Sequence, residues 1–240
     1  MKTWYLAAAG SALLCACHSS DVDHADLSVR DANVSVVDFA QLGDGDAMSG
    51  NDAALDLASG AASSMMSFFV TSTGSGTTGG AFGGLTGGDQ KCQALAATKG
   101  LGGKVWHAYL SDGNTDARDR IGTGPWYNFA GVQVSASVAA LHMANGGIAE
   151  ANILTENGTT VPAAEHAIVT GSDQSGTNAN SCNDWTTNGG NNDAQLGYTD
   201  WTTTASTTDR WQSGGQTNGC SAAALTAAGS SGRIYCFAIN

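Results

Sequence analysis

The chain has 240 residues, with charged residues at only 12%, 33 Gly, 2 Pro and a formal net charge of −12. So few charges leave little scope for helices laced with salt bridges, and the glycine count points to many turns and an irregular, β-rich domain. The acidity is uneven: His18 to Gly60 holds nine Asp against one Arg, while the rest is only mildly acidic, and no basic stripe of the kind nucleic-acid binding requires is present.

Taken in order, the first residues read as a signal peptide over 1–16. Lys2 supplies the charged start, and Trp4 to Leu14 is an apolar run too short to span a bilayer as a helix. Leu14-Cys15-Ala16-Cys17 resembles the bacterial lipobox, which implies cleavage before Cys17, acylation of that residue and attachment to the outer membrane or cell surface. The competing reading is a plain signal peptide cut nearby, leaving a periplasmic or secreted protein. Residues 17–64 carry Asp at nine positions without sustained periodicity, the composition of a solvated tether. Asp44-Gly45-Asp46 touches on a calcium loop, but the full pattern with its distal Glu is absent.

Residues 65–240 read as the folded domain. Met66 to Ser72 predicts a first strand. Gly74-Ser75-Gly76-Thr77-Thr78-Gly79 satisfies a G-x-G-x-x-G pattern, yet a dinucleotide site needs the motif to open a helix directly, and the helix is expected only from Asp89. That helix, Asp89 to Lys99, takes Asp89 as its cap and turns Cys92, Leu95 and Ala96 to one face, placing Cys92 toward the core. Val105 to Leu110 alternates as a strand. Asp112-Gly113-Asn114-Thr115-Asp116 mimics the start of a calcium loop, but Ala117 and Thr123 occupy the positions where Gly and Glu are needed. Capping of a short helix through Arg120 is the preferred reading. Gly124 to Asn128 predicts a turn with aromatic packing, Ile153 to Thr159 a hairpin about Asn157-Gly158, and Ala167 to Thr170 a buried strand. The run 171–219 is expected to hold the longest polar loops.

Setting aside Cys15 and Cys17 leaves Cys92, Cys182, Cys220 and Cys236, which allow three pairings; no C-x-x-C of a zinc ribbon is found among them. Catalytic patterns are equally absent: the five His are scattered, no G-x-S-x-G occurs, and isolated histidines such as His107 and His166 read as structural. The polar run offers Asp184, Asp200, Trp201, Asp209 and Trp211 as candidate ligand contacts, because aromatic faces beside carboxylates suit sugars. The competing role for Trp185 and Trp211 is core packing, and Trp185 is expected there.

Several segments together carry a resemblance. They are Leu85-Thr86-Gly87-Gly88-Asp89, Trp106-His107-Ala108-Tyr109-Leu110-Ser111, Gly124-Pro125-Trp126-Tyr127-Asn128, Leu154-Thr155-Glu156-Asn157-Gly158, Cys182-Asn183-Asp184-Trp185-Thr186 and Tyr235-Cys236-Phe237. In this order they resemble an uncharacterised family of bacterial lipoproteins with a C-type-lectin-like, endostatin-like domain. The resemblance implies an α+β fold with an irregular antiparallel sheet, one or two short helices, long loops and two nested disulfides, Cys92–Cys236 and Cys182–Cys220. The sugar motifs of calcium-dependent lectins do not carry over, since Asn183-Asp184 precede Trp185 and neither proline-centred tripeptide occurs. The expectation is a lipid-anchored envelope module that binds a glycan or protein through the 171–219 loops, without catalysis and with no cofactor, calcium being the alternative although its lectin signature is absent. A structural envelope protein is the alternative, and an exported hydrolase using Asp carboxylates the remotest.

Overall fold

The computed structural model describes residues 64–143, 147–201 and 210–239. Cys17, the signal peptide, the tether as far as residue 63, and Asp209 lie outside the described residues.

The centre is β8 (Tyr235–Ala238), a run apolar at every position and buried at every position. It lies between β1 (Phe68–Val70) and β2 (Trp106–Ala108), antiparallel to both. Successive strand residues face opposite sides, and here both sides are covered. Phe69, Trp106, Ala108, Cys236 and Ala238 join one core cluster; Phe68, Val70, Tyr235 and Phe237 join the other. The first face is covered by α1 (Gly84–Ala97), which turns Cys92 and Ala96 inward. The disulfide Cys92–Cys236 bonds that helix to the central strand across 144 residues. Gly88 permits the contact, because a Cβ there would meet Leu110 Cδ1 at 2.8 Å and Ala108 Cβ at 3.0 Å.

The helix begins five residues before the expected start at Asp89, with Gly83 at its N-cap and no side-chain cap. Asp89 has a different task. Its Oδ1 accepts from Ala108 N–H at 2.8 Å, and its Oδ2 accepts from Arg120 Nη2 at 2.6 Å. Arg120 Nη1 in turn donates to Ala108 C=O at 2.7 Å. Gln93 accepts from Trp106 N–H and donates to Lys104 C=O. Side chains from α1 and α2 (Ala117–Arg120) thus satisfy the free edge of β2, which would otherwise present unpaired backbone groups. The glycine-rich motif contains a short 3₁₀ turn, Gly76–Thr78, rather than opening α1.

The helix expected after Asp112–Asp116 is present as α2, but Asp116 does not cap it; its Oδ1 accepts from Asn178 N–H at 2.8 Å. Asp112 folds back on Asn114 and Thr115 N–H as an Asx-type turn. A two-stranded ribbon follows, β3 (Trp126–Tyr127) with β4 (Gln133–Ser135), then α3 (Val138–Leu141). The Asn157-Gly158 turn forms as expected, with Leu154 opposite Thr160 and Gly158 at φ +78°.

The run 171–219 is less loop-like than expected. It contains β6 (Gln195–Tyr198) and β7 (Gly215–Gln216), which extend β5 (Ala167–Val169) into a third antiparallel sheet. A parallel bridge, Val169 to Ile234, joins this sheet to the strand order around β8. A final helix, α4 (Ala222–Ala227), is capped by Ser221. The second disulfide, Cys182–Cys220, spans 38 residues. Both bonds match the pairing implied by the resemblance. Two disulfides stabilising one domain are the chemistry of an oxidising compartment, periplasmic or extracellular. Among the described residues no helix is long and apolar enough to cross a membrane.

Candidate functional site

The candidate contacts separate into two groups at opposite ends of β6. Asp184 belongs to the first. Ser181 pairs with Ala194, just before β6, and from there residues 182–185 turn with the wrong hand: Cys182, Asn183, Asp184 and Trp185 have φ of 50°, 53°, 55° and 63°. L-residues rarely adopt this conformation in succession, since each step costs roughly 1–2 kcal/mol. The turn is held at several points. Cys182 is tied to Cys220, Ser181 Oγ accepts from Asp184 N–H, and Gly83 N–H donates to Trp185 C=O. Trp185 is fully buried, as expected, and its indole N–H donates to Ser111 C=O at 2.8 Å. Asp184 Oδ1 accepts from Gly113 N–H at 2.8 Å and from Ser181 Oγ at 3.2 Å. Its carboxylate therefore fastens the 112–116 loop to the left-handed turn. Among the described residues no group of three or more His, Cys, Asp or Glu gathers to hold a metal.

Asp200 and Trp201 lie past the other end of β6, about 13 Å of strand away at ~3.3 Å per residue. Asp200 Oδ1 lies 2.8 Å from His166 Nδ1, both groups being partly exposed. A carboxylate accepts, so the shared proton sits on Nδ1 and the ring is fixed. The imidazole stacks on Tyr198 with ring planes 9° apart and centroids at 5.1 Å. His166, read from sequence as an isolated structural residue, is thus part of an ordered polar and aromatic group.

Trp201 is half-buried, its indole N–H donating to Ile148 C=O at 2.8 Å. Two residues beyond Ile148 starts the 3₁₀ turn Glu150–Asn152. A cleft of about 270 Å³ opens here, lined by Glu150, Ala151, Ile153, Thr160, Val161 and Thr199. Ile153 and Val161 supply an apolar floor, Thr160 and Thr199 hydroxyls, and Glu150 an exposed carboxylate. Nearly all of this wall comes from 150–161, outside the run favoured from sequence. Of the three glutamates, Glu156 is buried against Ser72 and Glu165 is bound by Arg233 and Ser231, while Glu150 stands at the surface, a difference that the residue type alone does not signal.

Trp211 is unavailable to a ligand. It is fully buried, donates to Leu141 C=O at 3.2 Å, and packs against Tyr109 and Tyr235. Its competing role as core prevails.

No protein-family model matches the chain, and no curated protein matches it.

The electrostatics of the second group are acidic, with Glu150 and Asp200 as carboxylates. Below it, Glu165 is held under the usual carboxylate range by its hydrogen bond from Ser231 and by the Arg233 guanidinium at 2.7 Å. That pair secures the segment leading into β5. The cleft combines the apolar side chains of Ala151, Ile153 and Val161 with Thr160, Thr199 and Glu150 as polar residues of its lining.

Proposed function

We propose that the domain is a cell-envelope binding module that takes a sugar unit of a glycan in the cleft between Glu150, Thr160 and Thr199. The observation that carries this reading is the cleft itself. At about 270 Å³ it is scaled to a single ring. It offers acceptors and hydroxyls for sugar hydroxyls, an apolar floor for ring C–H groups, and Trp201 and the His166–Asp200 pair nearby. No catalytic role is assigned to these residues.

The C-type-lectin-like arrangement belongs to the same proposal. Its support is the order of connections: first strand beside last strand, a helix bonded by disulfide to the last strand, and a second disulfide fastening the long polar region. Lipid attachment at Cys17, outside the described residues, would hold the module at the outer membrane or cell surface on its acidic tether.

A glycan array probed with wild type, Asp200→Ala, Trp201→Ala and Asp184→Ala tests the reading. Signal lost in the first two variants and kept in Asp184→Ala is the expected pattern. Signal unchanged in both Asp200→Ala and Trp201→Ala moves the site away from this end of β6.

A further inference from the structure

We propose that His142 is an acid-sensitive latch on the wall that carries Trp201 and Glu150. The consequence for a ligand rests on the cleft reading above; the latch does not.

His142 follows α3, whose first turn is capped by Ser137 Oγ accepting from Ala140 N–H. Its Nδ1 lies 2.8 Å from Val138 C=O, and its Nε2 lies 2.7 Å from Tyr109 Oη. A carbonyl only accepts, so Nδ1 carries the ring proton. Nε2 is therefore the bare nitrogen, and Tyr109 donates to it. Tyr109 is fully buried, and Gly176 lies over the ring so closely that a Cβ there would sit 2.4 Å from Nε2. Both ring nitrogens are committed in the neutral form, on a ring that is itself partly buried.

A second proton has to enter at Nε2, facing the tyrosine hydroxyl. Tyr109 must then turn its proton toward Ser172, whose Oγ already pairs with Ser111 Oγ at 2.7 Å and lies 3.1 Å from Thr170 C=O. The surrounding charges are mixed. Arg118 on α2 opposes a cation, whereas Asp119 on α2 and Asp173 after β5 favour one. Asp173 is already engaged by Ser175 N–H, Thr177 N–H and Thr177 Oγ1. Burial outweighs the bond to Val138, and the imidazole is held below its usual value near 6.5.

The latch is mechanically connected to the cleft. The His142 ring lies against Trp211, with centroids at 6.0 Å, and Trp211 donates to Leu141 C=O in the same turn. Gly147 is pressed between Trp211 and Trp201; a Cβ there would meet Trp211 Cδ1 at 2.6 Å and Trp201 Cζ2 at 3.0 Å. The next residue, Ile148, holds the Trp201 indole, and Glu150 follows on the cleft wall.

The sign follows from the depressed value. Stability supplied by neutral His142 is fully present above the ordinary imidazole value and is lost as pH falls below it, toward the folded value. Mild acid is thus expected to loosen 138–143 and 147–153 while the disulfide-tied sheet around β8 stays intact.

Amide hydrogen exchange of the full chain between pH 7.5 and 5.0, corrected for intrinsic rates, reads this without any ligand. Failure of the sugar reading and failure of the latch are therefore distinguishable. In wild type, exchange in 138–143 and 147–153 rises severalfold with a midpoint below the ordinary imidazole value. His166→Gln keeps that rise, His142→Gln abolishes it, and Tyr109→Phe moves the midpoint upward by removing the donor that favours the neutral ring. The proposal is overturned if 138–143 and 147–153 exchange equally at both pH values, or if His142→Gln retains the rise. An NMR titration of the His142 ring in wild type guards against a poorly folding variant: a midpoint at or above the ordinary imidazole value overturns the proposal as well.

Discussion

Asn183 offers a direct test of the left-handed turn. It is exposed, with φ +53° and ψ 58°, so substitutions there carry little burial energy. Its side-chain Nδ2 donates to Thr186 Oγ1 at 2.8 Å, a bond that Asn183→Ala and Asn183→Gly both remove. That loss, about 1 kcal/mol or less at an exposed site, cancels when the two variants are compared. What remains is conformational. Alanine in left-handed backbone costs roughly 1–2 kcal/mol that glycine does not. Glycine gives back roughly 0.5–1 kcal/mol through its freer unfolded chain. The net expectation is that Asn183→Gly is more stable than Asn183→Ala by about 1 kcal/mol, the reverse of their order in an ordinary helix. Guanidinium unfolding of the oxidised protein measures the difference. An alanine variant as stable as the glycine variant, or more so, refutes the left-handed assignment.

The disulfides are expected to rank by the chain they close. In the chain-entropy model the 144-residue separation contributes about 5 kcal/mol and the 38-residue one about 4 kcal/mol, so Cys92→Ala with Cys236→Ala should unfold at lower denaturant than Cys182→Ala with Cys220→Ala; the opposite order in urea titrations counts against it. Glu165 has a folded value below the ordinary carboxylate range, so its contribution is present above that range and lost as pH falls through the folded value. Replacing it in Glu165→Gln should flatten the acid limb of a stability–pH curve below pH 5, and an unchanged limb would show that the Ser231 and Arg233 contacts contribute nothing.

Much of the framework was legible because it depends on local pattern. The apolar runs at 66–72, 105–110 and 167–170 each contain the observed strand, and the helix does turn Cys92 and Ala96 inward. The start of α1 was hidden because its first five residues include Gly84, Gly87 and Gly88, which have poor helix propensity; Gly84 has φ +75°, and Gly87 and Gly88 leave no room for a Cβ. The strand β6 was hidden by Gly197, whose missing Cβ lets Trp211 C=O approach to a point 1.9 Å from where that atom would lie. A glycine that breaks the pattern in sequence makes the contact in space.

The candidate site was legible only in part, for a related reason. Asp200 and Trp201 sit beside the cleft, but the cleft wall comes from 150–161, brought there by the Trp201 bond to Ile148 and the packing of Val161. Asp184 looked equivalent to Asp200 as a loop carboxylate, yet it fastens Gly113 at the far end of β6. Only register separates the two, and register was not visible in the polar composition of 171–219.

The most direct test of the binding role fills the cleft without disturbing the core. Ala151 is exposed on the Glu150–Asn152 turn and lines the opening. Equilibrium binding of the full chain to a panel of neutral oligosaccharides, compared between wild type and Ala151→Trp, should show binding in wild type and its loss in the variant at unchanged stability. Undiminished binding by Ala151→Trp, or no binding of any sugar by wild type, would contradict the account.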